Sequence, residues 1–281
     1  MKNKGTILIS HIILFSAVIV TLFPVFYTLS SSFKTNMEIM TEPARMIPKE
    51  FTFDNYIRAW TSEEFNVPRM LGNSLYYTVS CVIMNLFISS MVGYVFARAQ
   101  FPGKTFVFAC FTSLMFIKGG GIGIYPKFEI LNALHIDSGI HALVFLNLFG
   151  VPITNFFIVK SFVQSLPIEL DEAAEIDGCN FMTIFFKIIM PLLLPVMATI
   201  GIFSFNASWN AYLMPTIFTT TKPEQQTLMV GLMALKSSSG AATNWALMMA
   251  GSVIALIPVL IAYAFGNRFF VSGLSAGAVK G

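Results

Sequence analysis

The chain has 281 residues, of which 56% are hydrophobic and 11% charged, against about 25% charged in a typical soluble domain. So much apolar surface exceeds what one soluble core can hide, which excludes a soluble enzyme and a disordered chain. A net charge of +3, spread along the chain, excludes a nucleic-acid binder.

The charge-free stretches set the organisation. Residues 5–33, 70–97, 138–159, 188–221 and 237–267 hold no Asp, Glu, Lys or Arg, and each exceeds the roughly 20 helical residues that cross a bilayer. Residues 105–117 form a shorter apolar stretch, which spans if Lys104 and Lys118 snorkel to the two interfaces. The pattern predicts an all-α integral membrane protein of six transmembrane helices in one domain, residues 1–281.

The first stretch follows Lys2 and Lys4 but is too long for a signal peptide and lacks a small-x-small cleavage site. It reads as an uncleaved anchor. Residues 34–69 make the longest polar segment and fall outside if the termini lie inside. With that orientation the inner segments hold 8 Lys and Arg and the outer 9. The count does not decide, but density per residue favours termini inside. Three cysteines cannot make a disulfide framework, and Cys81, Cys110 and Cys179 read as free thiols.

The empty spans argue against ion coupling. An ion-coupled transporter usually carries a buried carboxylate or lysine, and no clear span has one. His11, His135 and His141 sit at span ends and suit interfacial packing. Gly103-Lys104-Thr105 imitates the end of a phosphate-binding loop, but Arg98 stands where its first glycine belongs and no strand precedes it. Gly119-Gly120-Gly121-Ile122-Gly123 suits a turn at the membrane surface. The chain therefore reads as a pathway without its own energy source.

In the stretch 188–221 Phe203, Asn206 and Asn210 share a helix face. Asn206 and Asn210 offer amides to a polar solute on the path, and Trp209 and Tyr212 offer aromatic rings beside them. Asn147 and Asn155 add amides in 138–159. Hydrogen bonding between helices explains such asparagines equally well.

Residues 165–190 are the one strongly polar inner segment. Five acids lie between Glu169 and Asp177. Ser165 is predicted to cap a helix with Pro167 in its first turn, and Glu169, Asp171 and Glu172 suit the positive end of its dipole. Gly178 ends it in a left-handed cap. A second helix, 180–190, runs into Pro191. A solvated amphipathic connector fits the composition as well.

The run Glu169-Leu170-Asp171-Glu172-Ala173-Ala174-Glu175-Ile176-Asp177-Gly178, with Ile188 and Pro191 downstream, resembles the EAA motif of permease subunits in bacterial ATP-binding-cassette importers. It is similar to the carbohydrate-uptake branch, the maltose-importer type. Met190 replaces the family's usual Leu, a volume-conserving change. Asn73-Ser74-Leu75, Gly93-Tyr94-Val95-Phe96-Ala97-Arg98 with Phe101-Pro102-Gly103-Lys104, Trp209-Asn210 and the tail from Asn267 to Gly281 extend the resemblance over nearly the whole chain. Ser275 stands where the family usually has Thr.

The resemblance implies a type I importer permease, non-catalytic, in the bacterial cytoplasmic membrane, with both termini, the EAA helices (165–190) and the tail (268–281) cytosolic and the 34–69 loop extracytoplasmic. It implies a second, homologous permease, two ATPase subunits that hold ATP and Mg²⁺, and an extracytoplasmic sugar-binding protein; this chain itself binds no cofactor. Glu172, Ala173, Ala174, Asp177, Gly178 and Pro191 would couple to the ATPase, joined by Lys280 and Gly281 if the tail does not simply fray. The glycines after the third span resemble a subgroup importing larger or modified oligosaccharides. Three alternatives stay open from residues alone: an importer of the same build for amino acids or polyamines, a stand-alone secondary transporter, and a receptor without transport.

Overall fold

The computed structural model describes residues 4–63, 65–117, 123–237 and 243–278, with side chains in 8–63, 65–117, 123–236 and 243–266. Its regular structure is helical: α1 Lys4–Ser31, α2 Asn36–Thr41, α3 Asp54–Thr61, α4 Val67–Arg98, α5 Lys104–Phe116, α6 Ile124–Ala133, α7 Ile140–Asn147, α8 Ile153–Ser165, α9 Glu169–Ile176, α10 Phe181–Ile184, α11 Met190–Trp209, α12 Leu213–Thr219, α13 Leu228–Ser237 and α14 Trp245–Ala278. Four helices are long and apolar enough to cross a membrane: Leu8–Ser31, Val67–Arg98, Phe181–Trp209 and Trp245–Gly266. Lys104–Phe116 is a shorter apolar helix.

Two stretches depart from the sequence expectation. The charge-free stretch 138–159 is not one helix. It breaks between Asn147 and Ile153, with Pro152 at the N-cap of α8, because the residue before a proline is disfavoured in helical geometry. The second helix of the polar segment, in turn, does not stop at Pro191. A π-helical segment, Phe185–Ile189, joins α10 to α11. Pro191 lies in the first turn of α11, where the wider π winding takes up the missing N–H and the ring.

The described chain forms two compact units. One comprises residues 1–71 and 228–258. Its core gathers Ala59, Phe65, Val67, Met70, Leu228, Leu232, Leu247 and Ala255. The 34–69 segment in this unit is folded around polar ties. Lys34 is fully buried and its Nζ donates to the Arg45 carbonyl. Asn55 Nδ2 donates to the carbonyls of Ser32 and Lys34, both at 2.8 Å. Such ties satisfy polar groups that burial would otherwise penalise. Hydrogen bonds from Lys49 and Arg45 hold the exposed Glu42 carboxyl below the usual carboxylate range.

The other unit comprises residues 72–227 and 259–281. One of its cores packs Tyr94, Val159, Val163, Ala174, Ile184, Phe185, Ile189, Leu193 and Ile200. The other packs Tyr77, Cys81, Leu131, Ile140, Leu143 and Phe218. Gly93 lets α4 and α8 meet closely: a Cβ there would fall 2.6 Å from Val159 Cγ1.

Candidate functional site

The acidic helix α9 is docked on its own chain by one face and open on the other. Asp171 and Ala174, three residues apart, point inward and are buried. Glu172, Ala173 and Asp177 are exposed. Ile176 is 87% exposed, an unusual position for a large apolar side chain.

The inward face is locked by groups distant in sequence. Arg98 Nε lies 3.0 Å from Asp171 Oδ2, with both side chains about one-tenth exposed. That contact is an ion pair rather than a well-aimed hydrogen bond. Tyr94 donates its hydroxyl to Asp171 Oδ1 at 3.2 Å, and Arg98 Nη2 reaches the Leu166 carbonyl at 3.0 Å. The end of α4 thus holds both the start of α9 and the linker before it. Sequence reading used Tyr94 and Arg98 only as part of the family resemblance and placed Asp171 merely near the helix dipole. The available signal was the lone cation closing a long apolar helix.

Ser165 does not cap α9. It is the last residue of α8 and its hydroxyl donates to the Phe162 carbonyl at 2.7 Å. Ile168 holds the N-cap position with no side-chain bond. The C-terminal expectation holds. Gly178 has φ +81°, its N–H donates to Glu175 O and that of Cys179 to Ala174 O, both at 2.9 Å. This pair of bonds is the Schellman arrangement, and glycine adopts its left-handed residue without the Cβ penalty. Asn180 then caps the next helix, its Oδ1 accepting from Thr183 N at 2.9 Å. The bend between α9 and α10 is therefore fixed by local hydrogen bonds at both ends.

The proposed path residues differ in their surroundings. Asn210, at the C-cap of α11, donates from Nδ2 to Asn206 Oδ1 at 2.6 Å. Trp209 is 3% exposed and stacks on Phe205 at 5.6 Å. Tyr212 is exposed at the start of α12. Asn147 donates to Leu143 O at 3.0 Å and to Cys81 Sγ at 3.3 Å. Lys280 and Gly281 lie outside the described residues. No cluster of three potential metal ligands occurs among the described residues.

Residues 75–275 match the family of binding-protein-dependent transport system inner membrane components. The chain belongs to this family. The permease is 33% identical over 263 residues to the inner membrane ABC transporter permease protein YcjP of Escherichia coli K12, covering 94% of this chain and 92% of the relative. It is 32% identical to the arabinooligosaccharides transport system permease protein AraQ of Halalkalibacterium halodurans, over the whole of both chains. It is 31% identical to the diacetylchitobiose uptake system permease protein NgcG of Streptomyces coelicolor, covering 97% of this chain and 88% of that one. A chain in the crystal structure of a bacterial ABC transporter involved in the import of the acidic polysaccharide alginate shares the fold, with TM-score 0.81 at 20% identity, covering 95% of this chain and 97% of that one. The permease is thus an all-helical, multi-pass inner-membrane component with several apolar spans, and the chemistry of energy supply is not its own.

Proposed function

We propose that this permease forms half of the translocation path of an ATP-driven, binding-protein-dependent importer of oligosaccharides. The observation that carries the coupling part is the outward face of α9, where Glu172, Ala173 and Ile176 stand exposed on a helix pinned from behind by Arg98 and Asp171. Ala173 allows close approach of a partner, Ile176 supplies an apolar contact, and Glu172 supplies a carboxylate for an Arg or Lys on an ATPase. An enclosed charge-assisted pair of that kind is worth about 1.5–3 kcal/mol.

In this reading α9 and α10 dock in a cleft of the ATPase. Closure of the ATPase dimer on ATP moves the docked helix, the rigid Arg98–Asp171 link passes the motion to α4, and access alternates. Gly178 keeps the angle between α9 and α10. Six crossings result if Lys104–Phe116 and the α7–α8 pair are counted beside the four long helices. That number puts both termini, α9 and the tail with Lys280 and Gly281 on one side of the membrane and the 34–69 segment on the other, and the docking reading makes the first side the cytosol. A homologous permease, two ATPase subunits and an extracytoplasmic binding protein complete the assembly. The sugar assignment is supported by relatives whose names specify arabinooligosaccharides and diacetylchitobiose; within this chain Asn147, Asn206, Trp209, Asn210 and Tyr212 are the proposed path residues.

The test is mild-detergent purification of the tagged chain from its native cells, with mass spectrometry of what accompanies it. A second permease and two copies of an ATPase per complex are expected. A chain recovered alone that still transports overturns the reading.

A further inference from the structure

A cavity of about 300 Å³ opens between α4, α8 and α11, its lining including Asn85, Pro152, Thr154, Asn155, Phe203 and Ser204. Asn85 lies in the middle of the long apolar helix α4, about 20 Å along it from Arg98 at the helical rise. Its amide has no side-chain hydrogen-bond partner among the described residues. Asn155 donates to the buried Ser204 hydroxyl at 3.3 Å, which fixes one amide and leaves its carbonyl oxygen to accept. Phe203 is 46% exposed. The cavity wall also includes Pro152, where the helical run between α7 and α8 is interrupted.

The amides and the interrupted backbone disfavour contact with lipid. Irregular backbone at membrane depth persists only where protein or water covers it. Polar side chains in spans face the bundle interior or a wet cavity. The volume is at the small end of ligand pockets, which run from about 300 to 1,000 Å³. It admits one sugar ring and not a whole oligosaccharide. Its lining contains amides, hydroxyls and one aromatic ring, and no charged side chain. An uncharged, hydroxyl-rich ring suits that lining: the amides pair with hydroxyls, and the Phe203 ring meets an apolar sugar face. A carboxylated ring would enter without a counter-charge.

We propose that this notch is the point at which the permease holds one neutral sugar ring of the substrate in transit, with Asn85, Asn155 and Phe203 as the contacting side chains. The proposal rests on the oligosaccharide reading above and adds a place and a charge preference to it. It also places the contact one to two turns away from Asn210, whose amide is already engaged by Asn206.

The complex, purified with its own partner subunits and binding protein, would be reconstituted in proteoliposomes and offered three labelled probes: arabinotriose, diacetylchitobiose and trigalacturonic acid. Wild type is expected to accumulate a neutral probe, and Asn85→Leu and Phe203→Ala each to lower that uptake about tenfold, the size of one lost hydrogen bond or ring contact. Co-purification of the partner subunits shows that a variant has assembled. As a second measurement, Asn85→Cys in a Cys81→Ser, Cys110→Ser, Cys179→Ser chain should react with a water-soluble thiol reagent, and the transported probe should slow that reaction. Uptake of a neutral probe that both variants leave unchanged, or a position 85 thiol that never reacts, overturns the notch while the importer reading stands. Preference for trigalacturonic acid overturns the neutral-ring assignment. Wild-type uptake of none of the three, with an intact complex, overturns the sugar reading and the notch with it.

Discussion

The guanidinium of Arg98 and the carboxylate of Asp171 stand 3.0 Å apart, each side chain about one-tenth exposed, and they tie the last residue of a long apolar helix to the first turn of a short acidic one. Removing one member leaves the other charge buried without a partner, which typically costs about 3–5 kcal/mol. Asp171→Ala is expected to destabilise the α9 region by that order and to expose residues 166–180 to protease. Arg98→Ala should do the same, and Tyr94→Phe should cost only about 1 kcal/mol, the net worth of a hydrogen bond. Thermal unfolding in detergent with limited proteolysis checks all three; an α9 as resistant in Asp171→Ala as in wild type contradicts the anchoring role.

Glu172 sits one residue further on and faces solvent. Glu172→Lys should therefore leave insertion and fold intact while abolishing ATP-driven uptake, because reversal of charge opposes the partner's cation. Uptake by whole cells, alongside the amount of chain in the membrane, decides it. Normal uptake would remove Glu172 from the coupling surface.

At Gly178 an added Cβ would meet no atom within 4 Å, yet φ is +81°. Substitution is therefore penalised by backbone conformation and not by crowding. Gly178→Val should cost about 1–2 kcal/mol and lower uptake by changing the bend between α9 and α10. Gly178→Asn, which tolerates the left-handed region, should remain close to wild type. Equal activity for Asn and Val variants would show that the bend does not matter.

Asn206→Ala combined with Asn210→Ala removes an amide pair at the end of α11. The expected result is a several-fold loss of uptake with assembly preserved, the scale of one or two hydrogen bonds of about 1 kcal/mol. Unchanged transport would assign this part of the path to the companion subunit.

The EAA segment shows how far sequence reaches. The left-handed stop at Gly178 depends on residues within one turn and was legible, as was the acidic first turn of α9. The N-terminal boundary was not: Ser165 looked like a cap, but its hydroxyl turns back to Phe162 and the helix starts beyond Pro167. Pro191 looked like a terminator, yet the π segment before it lets the helix continue. Both residues are compatible with two local geometries, and packing chose between them.

The same division runs through the whole chain. Composition and the length of its charge-free runs determined that the protein is helical and apolar enough to live in a membrane, because the cost of burying charge in hydrocarbon acts on each residue regardless of its neighbours. Only the tertiary structure decided which acid of the cluster is buried and which is presented. Asp171 and Glu172 are adjacent and chemically alike, but the helix turns one of them toward Arg98, 73 residues away in sequence, and the other outward. No local propensity encodes that choice, since it is made by a partner the chain brings close only on folding.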